Sequence, residues 1–289
     1  PSSTQHVIDS RYVFASARLP VLEPRNHQEL YEIAWTAADM SKKFNTAVIV
    51  LASGILTHSE GLVTTKEPRI VEPMKLPDNL HNWMLMPAIA RANYNKATQE
   101  RIPEIMRWAE TSNLLSEEEG SDDWGIIVSG ESTIIVREAL QTVGAKPSIL
   151  SLAIANPLPV NRIKKFAEKI KGKLFVFEDG DRFIEERVKI MGIDAIGKEE
   201  NSVITDWSPE MVIKQLSKQS VLSHSQAAQE CLPVSSQTGM SAPPIDVVTP
   251  IDAVAQAFLP VKVPQVFPVC VRQECLTYCF YAVAPIDAV

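Results

Sequence analysis

From Gly125 onward, short apolar runs and amphipathic stretches alternate along the chain, and this alternation narrows the fold more than any other feature. Gly125-Ile-Ile-Val-Ser129, Ser148-Ile-Leu-Ser-Leu152 and Lys173-Leu-Phe-Val-Phe-Glu178 read as strands. Between the first two, Glu131 to Val143 reads as a helix closed by Gly144, at the left-handed position that glycine takes cheaply. Asn161 is expected to cap a helix running to Lys171, whose basic C-terminal residues suit the helix dipole. Asp181 is expected to cap another, ending at Gly192, and residues 202–206 are a candidate fourth strand. Ser208-Pro209-Glu210 supplies an N-cap, a first-turn proline and an acidic first turn. Strands and helices alternating at this spacing predict a small, mostly parallel, doubly wound sheet.

The N-terminal part is also α/β. Asn26 and Glu29 form a capping-box pair. Leu30, Ile33, Ala34, Ala37 and Phe44 follow at helical spacing, and Thr46-Ala-Val-Ile-Val-Leu51 is a buried strand. Residues 69–120 read as a helical connecting region broken at Pro87 and Pro103, and Glu117 to Asp123 as a solvated acidic loop.

Residues 217–289 differ in kind. They hold 8 charged residues in 73, whereas the first 216 hold 55, and they carry 8 of the 20 prolines and all four cysteines. A Pro-Ile-Asp-(Val/Ala)-Val repeat starts at Pro244, Pro250 and Pro285, without the constant period of a solenoid. Proline at this density blocks helix and central strand alike, so 217–265 is expected to be an extended linker.

The net charge of −7 argues against nucleic acid as a partner, because neutralising phosphates takes clustered Lys and Arg. No apolar run reaches 18 residues and no leader pattern opens the sequence, so neither a membrane nor an export route is expected, and the cytoplasm is. Cysteines in that setting read as free thiols or ligands before disulfides. Cys270, Cys275 and Cys279 lack zinc-ribbon or ferredoxin spacing, so no metal site is assigned to them.

Three loops stand where α/β sheets bind ligands, at the carboxyl ends of strands. Ser129-Gly130-Glu131 reads as a tight strand-to-helix turn, since no glycine-rich phosphate motif is present. The carboxylates of Glu178-Asp179-Gly180-Asp181 are candidate Mg2+ ligands, with Asp181 as a plain helix cap the favoured reading. His58, in Thr57-His58-Ser59-Glu60, is a candidate functional imidazole.

Two stretches resemble the large (alpha) subunit of the indolepyruvate:ferredoxin oxidoreductase family. One is Pro1-Ser-Ser-Thr-Gln-His-Val-Ile-Asp9-Ser10-Arg11, then Pro20-Val-Leu-Glu-Pro24 and Thr57-His58-Ser59. The other is Gly125-Ile-Ile-Val-Ser-Gly130, Asn156-Pro-Leu-Pro159, Phe175-Val-Phe-Glu178 and Phe183-Ile-Glu185. The second set is similar to that family's transketolase C-terminal-like domain in order and spacing. Cys270 and Phe280-Tyr-Ala282 extend the resemblance weakly into the tail.

The resemblance implies the end of a thiamine-diphosphate-binding pyrimidine domain at 1–68 and the helical connection at 69–120. A transketolase C-terminal-like α/β domain would follow at 121–216. Residues 217–289 would be the proline-rich linker and the start of a diphosphate-binding domain. It also implies oxidative decarboxylation of an aryl 2-oxoacid to an acyl-CoA, with electrons passed to ferredoxin. Thiamine diphosphate with Mg2+ and 4Fe-4S clusters would serve it, completed outside these 289 residues. A smaller beta subunit, ferredoxin and coenzyme A are the implied partners, in a dimer of heterodimers. By resemblance His58 is catalytic, and Asp9 and Arg11 lie near the cofactor or a subunit interface. Three departures stand out: His6-Val7-Ile8 in the first motif, Ile55 where the family carries an Arg, and Asp179-Gly180-Asp181-Arg182 after the third strand. They motivate a second reading, a non-catalytic paralogue acting as an assembly module. A third, an unrelated α/β ligand-binding protein, leaves the motif order unexplained.

Overall fold

The computed structural model describes residues 8–69, 84, 86–199 and 206–222 with their side chains, and the backbone of 267–268 and 278–283. Helix α1 (Ser10–Ser16) leads into β1 (Val21–Leu22), α2 (His27–Phe44), β2 (Val48–Ser53) and α3 (Gly54–His58). Next come α4 (Pro87–Lys96), a π-helical turn (Ala97–Arg101) and α5 (Ile102–Thr111). The alternating region holds β3 (Leu115–Glu118), β4 (Ser121–Ser129), α6 (Ser132–Val143), β5 (Pro147–Leu152), β6 (Ile154–Asn156), α7 (Val160–Lys169), β7 (Leu174–Phe177) and α8 (Phe183–Ile190). It is followed by α9 (Pro209–Lys218), and the tail adds β8 (Phe267–Pro268) and β9 (Tyr278–Val283).

The second sheet has the order β3-β5-β4-β7, with β5, β4 and β7 parallel and β3 antiparallel at its edge. This is the expected mostly parallel α/β sheet. Alternate residues of each strand enter different cores, as the two-residue period of a strand requires. Ile126, Val128, Phe175 and Phe177 pack with Val136 and Leu140 of α6 and Val212 and Leu216 of α9. Ile127, Leu150 and Val176 turn the other way, toward Ile163 and Phe166 of α7 and Ile184 and Val188 of α8. That second core continues into Val21, Leu22, Ile33 and Val50, so both sheets share it.

The first sheet runs β6-β1-β2-β9-β8, with β1 parallel to β2 and β9 antiparallel to it. The chain leaves the second sheet after Leu152, and β6 joins the first sheet antiparallel to β1. Glu23 N donates to Ala153 O at 2.9 Å across this crossing. The carboxyl ends of β1 and β2 are thereby held against those of β4 and β7.

Several local readings are borne out. Gly144 is left-handed at φ +64°, Asn26 accepts from Glu29 N, and Ser208 accepts from Met211 N. Others are corrected. Glu117 to Asp123 is no free loop: Glu117 and Glu118 belong to β3, and β4 begins at Ser121. Lys169 and Arg137 pair with those two carboxylates, which makes an acidic edge strand tolerable. Pro103 does not break its helix: it sits in the first turn of α5, where a missing N–H matters least, just after the π turn. Asn161 is not a cap, because α7 begins at Val160 and Glu110 of α5 accepts from Asn161 N and Arg162 N instead. Neither is Asp181, whose supposed work is done by Glu178. Residues 202–205 of the candidate strand at 202–206, and most of the expected linker, lie outside the described residues. Ile196 instead bridges Phe175 in parallel at the outer edge of β7.

Candidate functional site

Asp9 precedes α1 in extended conformation (φ −79°, ψ 100°), and its carboxylate accepts from Arg11 N at 3.0 Å. The same carboxylate takes Arg11 Nε at 2.9 Å and Arg11 Nη2 at 2.5 Å. This folds the guanidinium back over its own helix start and aims it at the second sheet. There Arg11 Nη1 donates to Glu178 Oε2 at 2.8 Å, and Nη2 donates to the carbonyls of Asp179 and Asp181 at 2.5 and 3.2 Å. Arg11 and Glu178 are each only 2% exposed.

Those carbonyls converge because Gly180 is left-handed, at φ +73°. A Cβ at Gly180 would stand 2.9 Å from Asp9 Oδ2. Asp181 N donates to the same Oδ2 at 3.0 Å, so Asp9 also binds the turn directly. Glu178 in turn accepts from Ile184 N and Glu185 N at 2.8 Å. The side chain at the end of β7 thus satisfies the free amides at the start of α8. Phe183 closes the layer, edge-on to Tyr12 at 5.1 Å and faced by the Arg187 guanidinium at 3.4 Å.

Three carboxylates surround Arg11: Asp9, Glu178 and Glu23, the last at 3.6 Å. Burial pushes Asp9 up, but the hydrogen bonds and charge of Arg11 outweigh it and hold the carboxyl below its ordinary range. Burial pushes Glu178 up to about 7 against the pull of Arg11 and of its backbone donors. Burial likewise pushes Glu23 up to about 7, with Arg11 opposing and Asp9 and Glu178 adding to the rise. Lys198 Nζ donates to Gly180 O at 2.5 Å on the far side of the turn, and burial draws its pKa down.

Beside this joint the carboxyl ends of β1, β2, β4 and β7 enclose a small cleft lined by Glu23, Ser53, Ser129, Glu131 and Asp179. Its free volume is about 20 Å³, enough for one water. Ser53 Oγ caps α3 by accepting from Leu56 N and also donates to Glu131, and Ser132 Oγ donates to Asp179.

Of the residues singled out from the sequence, the structure brings Asp9 and Arg11 together. His58 is the exposed last residue of α3, outside that cluster. Glu23 and the capping role of Glu178 were missed. The signal for Glu23 is an acid directly after the buried pair Val21-Leu22, where burial is unavoidable. Glu178 has no local signal, since it caps a helix from six residues upstream.

No family model matches the chain. The indolepyruvate oxidoreductase subunit IorA of Archaeoglobus fulgidus is 32% identical over 196 residues, covering 66% of this chain and 31% of that protein. Over 66% of its length this chain is similar to IorA. The subunit of the same name from Methanothermobacter marburgensis is 32% identical over 190 residues, 64% of this chain and 30% of its own length. That from Thermococcus kodakarensis is 30% identical over 202 residues, covering 66% of the chain and 31% of its own length. The chain therefore spans about a third of the IorA relatives it matches. Among solved structures, 2-oxoglutarate:ferredoxin oxidoreductase from Magnetococcus marinus overlaps 47% of this chain and 24% of its own, with 21% identity and a TM-score of 0.37. The α/β assignment rests on the strand order above and not on that overlap.

The groups implied by the resemblance to IorA do not fit the residues described. Arg11 directs its side-chain donors at Asp9, Glu178 and the 179–181 turn and is ringed by three acidic side chains, so it is not placed to hold a diphosphate. The cleft is water-sized and lined by three acidic side chains, with no cation among its lining residues to meet phosphate oxygens. Among the described residues no group of three or more His, Cys, Asp or Glu side chains is arranged to hold a metal ion.

Proposed function

We propose that the chain is part of the large subunit of a 2-oxoacid:ferredoxin oxidoreductase of the indolepyruvate type. The whole enzyme would oxidatively decarboxylate an aryl 2-oxoacid to an acyl-CoA and pass the electrons to ferredoxin. The observation that carries this reading is the similarity to IorA over 66% of the chain. Thiamine diphosphate, Mg2+ and 4Fe-4S clusters would be held by parts of the enzyme beyond the residues described. A smaller beta subunit, ferredoxin and coenzyme A would be the partners, in a dimer of heterodimers in the cytoplasm.

In this reading residues 1–68 close a pyrimidine-binding domain, 69–120 connect it, and 121–216 form a transketolase C-terminal-like domain. Residues 217–289 lead on toward a diphosphate-binding domain. Asp9 and Arg11 position the first domain on the second, through the bonds of Arg11 to Glu178 and the 179–181 turn. His58, exposed just beyond the carboxyl end of β2, is free to meet substrate or a partner domain.

The test uses the full-length subunit with its smaller partner. Coenzyme A-dependent reduction of ferredoxin by indolepyruvate or phenylpyruvate, exceeding that with 2-oxoglutarate, is the expected result. No turnover with any 2-oxoacid, together with no calorimetric binding of thiamine diphosphate, would favour the non-catalytic assembly module. The exposed Ile55, standing where the family carries an Arg, is what keeps that alternative in view.

A further inference from the structure

We propose that Glu23 is a proton-operated latch between the two sheets: protonated, it lets the Asp9–Arg11–Glu178 joint close, and ionised, it loosens it. The inference is independent of the enzymatic reading and rests on how the charges are arranged.

Three carboxylates face one guanidinium inside the joint, and their hydrogen bonding is unequal. Asp9 accepts from Arg11 N, Arg11 Nε and Asp181 N. Glu178 accepts from Ile184 N, Glu185 N and Arg11 Nη1. Each is solvated by the protein as an anion. Glu23 is buried, and among the described residues its side chain has the 3.6 Å approach to Arg11 Nη1 and no hydrogen bond. A buried carboxylate without donors is costly, whereas the neutral acid is tolerated. Burial raises both Glu23 and Glu178 to about 7, and because only Glu178 has N–H donors to hold its anion, Glu23 is the one that takes up the proton first.

Most of the charges around Glu23 reinforce this. Asp9 before α1, Glu178 and Asp179 after β7 and Glu131 at the start of α6 present negative charge on its sides. Arg11 from α1 opposes them, and Lys198 lies beyond the 179–181 turn. Glu23 lines the cleft, which has room for one water, and 11% of its side chain is itself exposed, which gives the proton a way out. Glu23 also sits where the chain stitches the sheets, its own N–H bonded to Ala153 O. A new charge there acts on β1, on the β5–β6 crossing and on the Arg11 clamp together.

The sign follows from linkage. Glu23 holds its proton up to about 7 in the folded joint and loses it at an ordinary carboxylate pH when the joint opens. Closure is favoured fully below the ordinary value and is lost as pH rises through about 7.

The experiment is amide hydrogen exchange on the full-length protein, expressed as protection factors for α1 and for residues 179–185. In wild type, protection should fall between about pH 5 and 7 with a slope approaching tenfold per unit, the slope for one proton. Glu23→Gln should stay protected across the range. An equal slope in Glu23→Gln, or none in wild type, would overturn the latch. Should Glu23→Gln fail to fold, a carbon-13 titration of glutamate carboxyls in the unmodified protein decides. One carboxyl titrating near 7 and assigned to Glu23 supports the latch, and Glu23 titrating below about 5 overturns it.

Discussion

Arg11 Nη1 donates to Glu178 Oε2 at 2.8 Å, although 167 residues separate them in the chain. The pair joins the start of α1 to the start of α8, since Glu178 caps α8 and Asp9 caps α1. One guanidinium thereby fixes two helix ends and the turn between β7 and α8. The two α/β units are coupled by a charged joint as well as by the apolar core they share.

Arg11→Met should destabilise the protein by about 3–5 kcal/mol, the usual cost of stranding buried carboxylates. Chemical unfolding of the full-length subunit measures it. A loss under about 1 kcal/mol would show that the carboxylates simply take up protons and the joint contributes little.

Gly180→Ala meets two obstacles, a left-handed φ of +73° and an approach of 2.9 Å to Asp9 Oδ2. Each disfavours a side chain, and together they should cost about 2–3 kcal/mol. Thermal unfolding reads the loss. Because the added methyl also displaces the Asp9 carboxylate, combining Gly180→Ala with Asp9→Ala should cost less than the sum of the two changes.

Asp9 titrates with the opposite sign to Glu23. Its folded pKa lies below the ordinary 3.8, so its contribution is complete above that value and is lost as pH falls through the folded pKa. Asp9→Asn should therefore be less stable than wild type at pH 6, and the gap should narrow as pH is lowered below about 4. A gap unchanged by acid would show that the Asp9 charge is not what holds α1.

Glu110→Ala removes the acceptor for Asn161 N at 2.9 Å and Arg162 N at 3.1 Å. The cost expected of a lost cap is about 1 kcal/mol. Faster amide exchange confined to the first turn of α7 would locate it there.

His58→Ala should leave stability within about 0.5 kcal/mol of wild type, because the imidazole is exposed. If His58 serves catalysis, turnover of the full enzyme should fall by about 100-fold or more, as for other lost proton-transfer groups. Wild-type turnover would remove His58 from the mechanism and leave the fold assignment untouched.

The sequence by itself determined the strands β4, β5 and β7, their parallel character, the stop at Gly144 and the starts at Asn26 and Ser208. These depend on local periodicity, on backbone φ, or on side-chain bonds spanning three residues, all of which are written within a few positions. It also marked Asp9 and Arg11 through a resemblance, without saying what they hold. Only the tertiary structure decided that Glu110 and Glu178 cap α7 and α8, that Glu117 and Glu118 lie in a strand, and that Arg11 binds Glu178. It alone placed Glu23 in a buried joint short of donors. Partners 50 to 170 residues apart leave no local pattern, a cap six residues upstream lies beyond the usual three-residue spacing, and a carboxylate looks the same in sequence whether it faces water or a buried guanidinium.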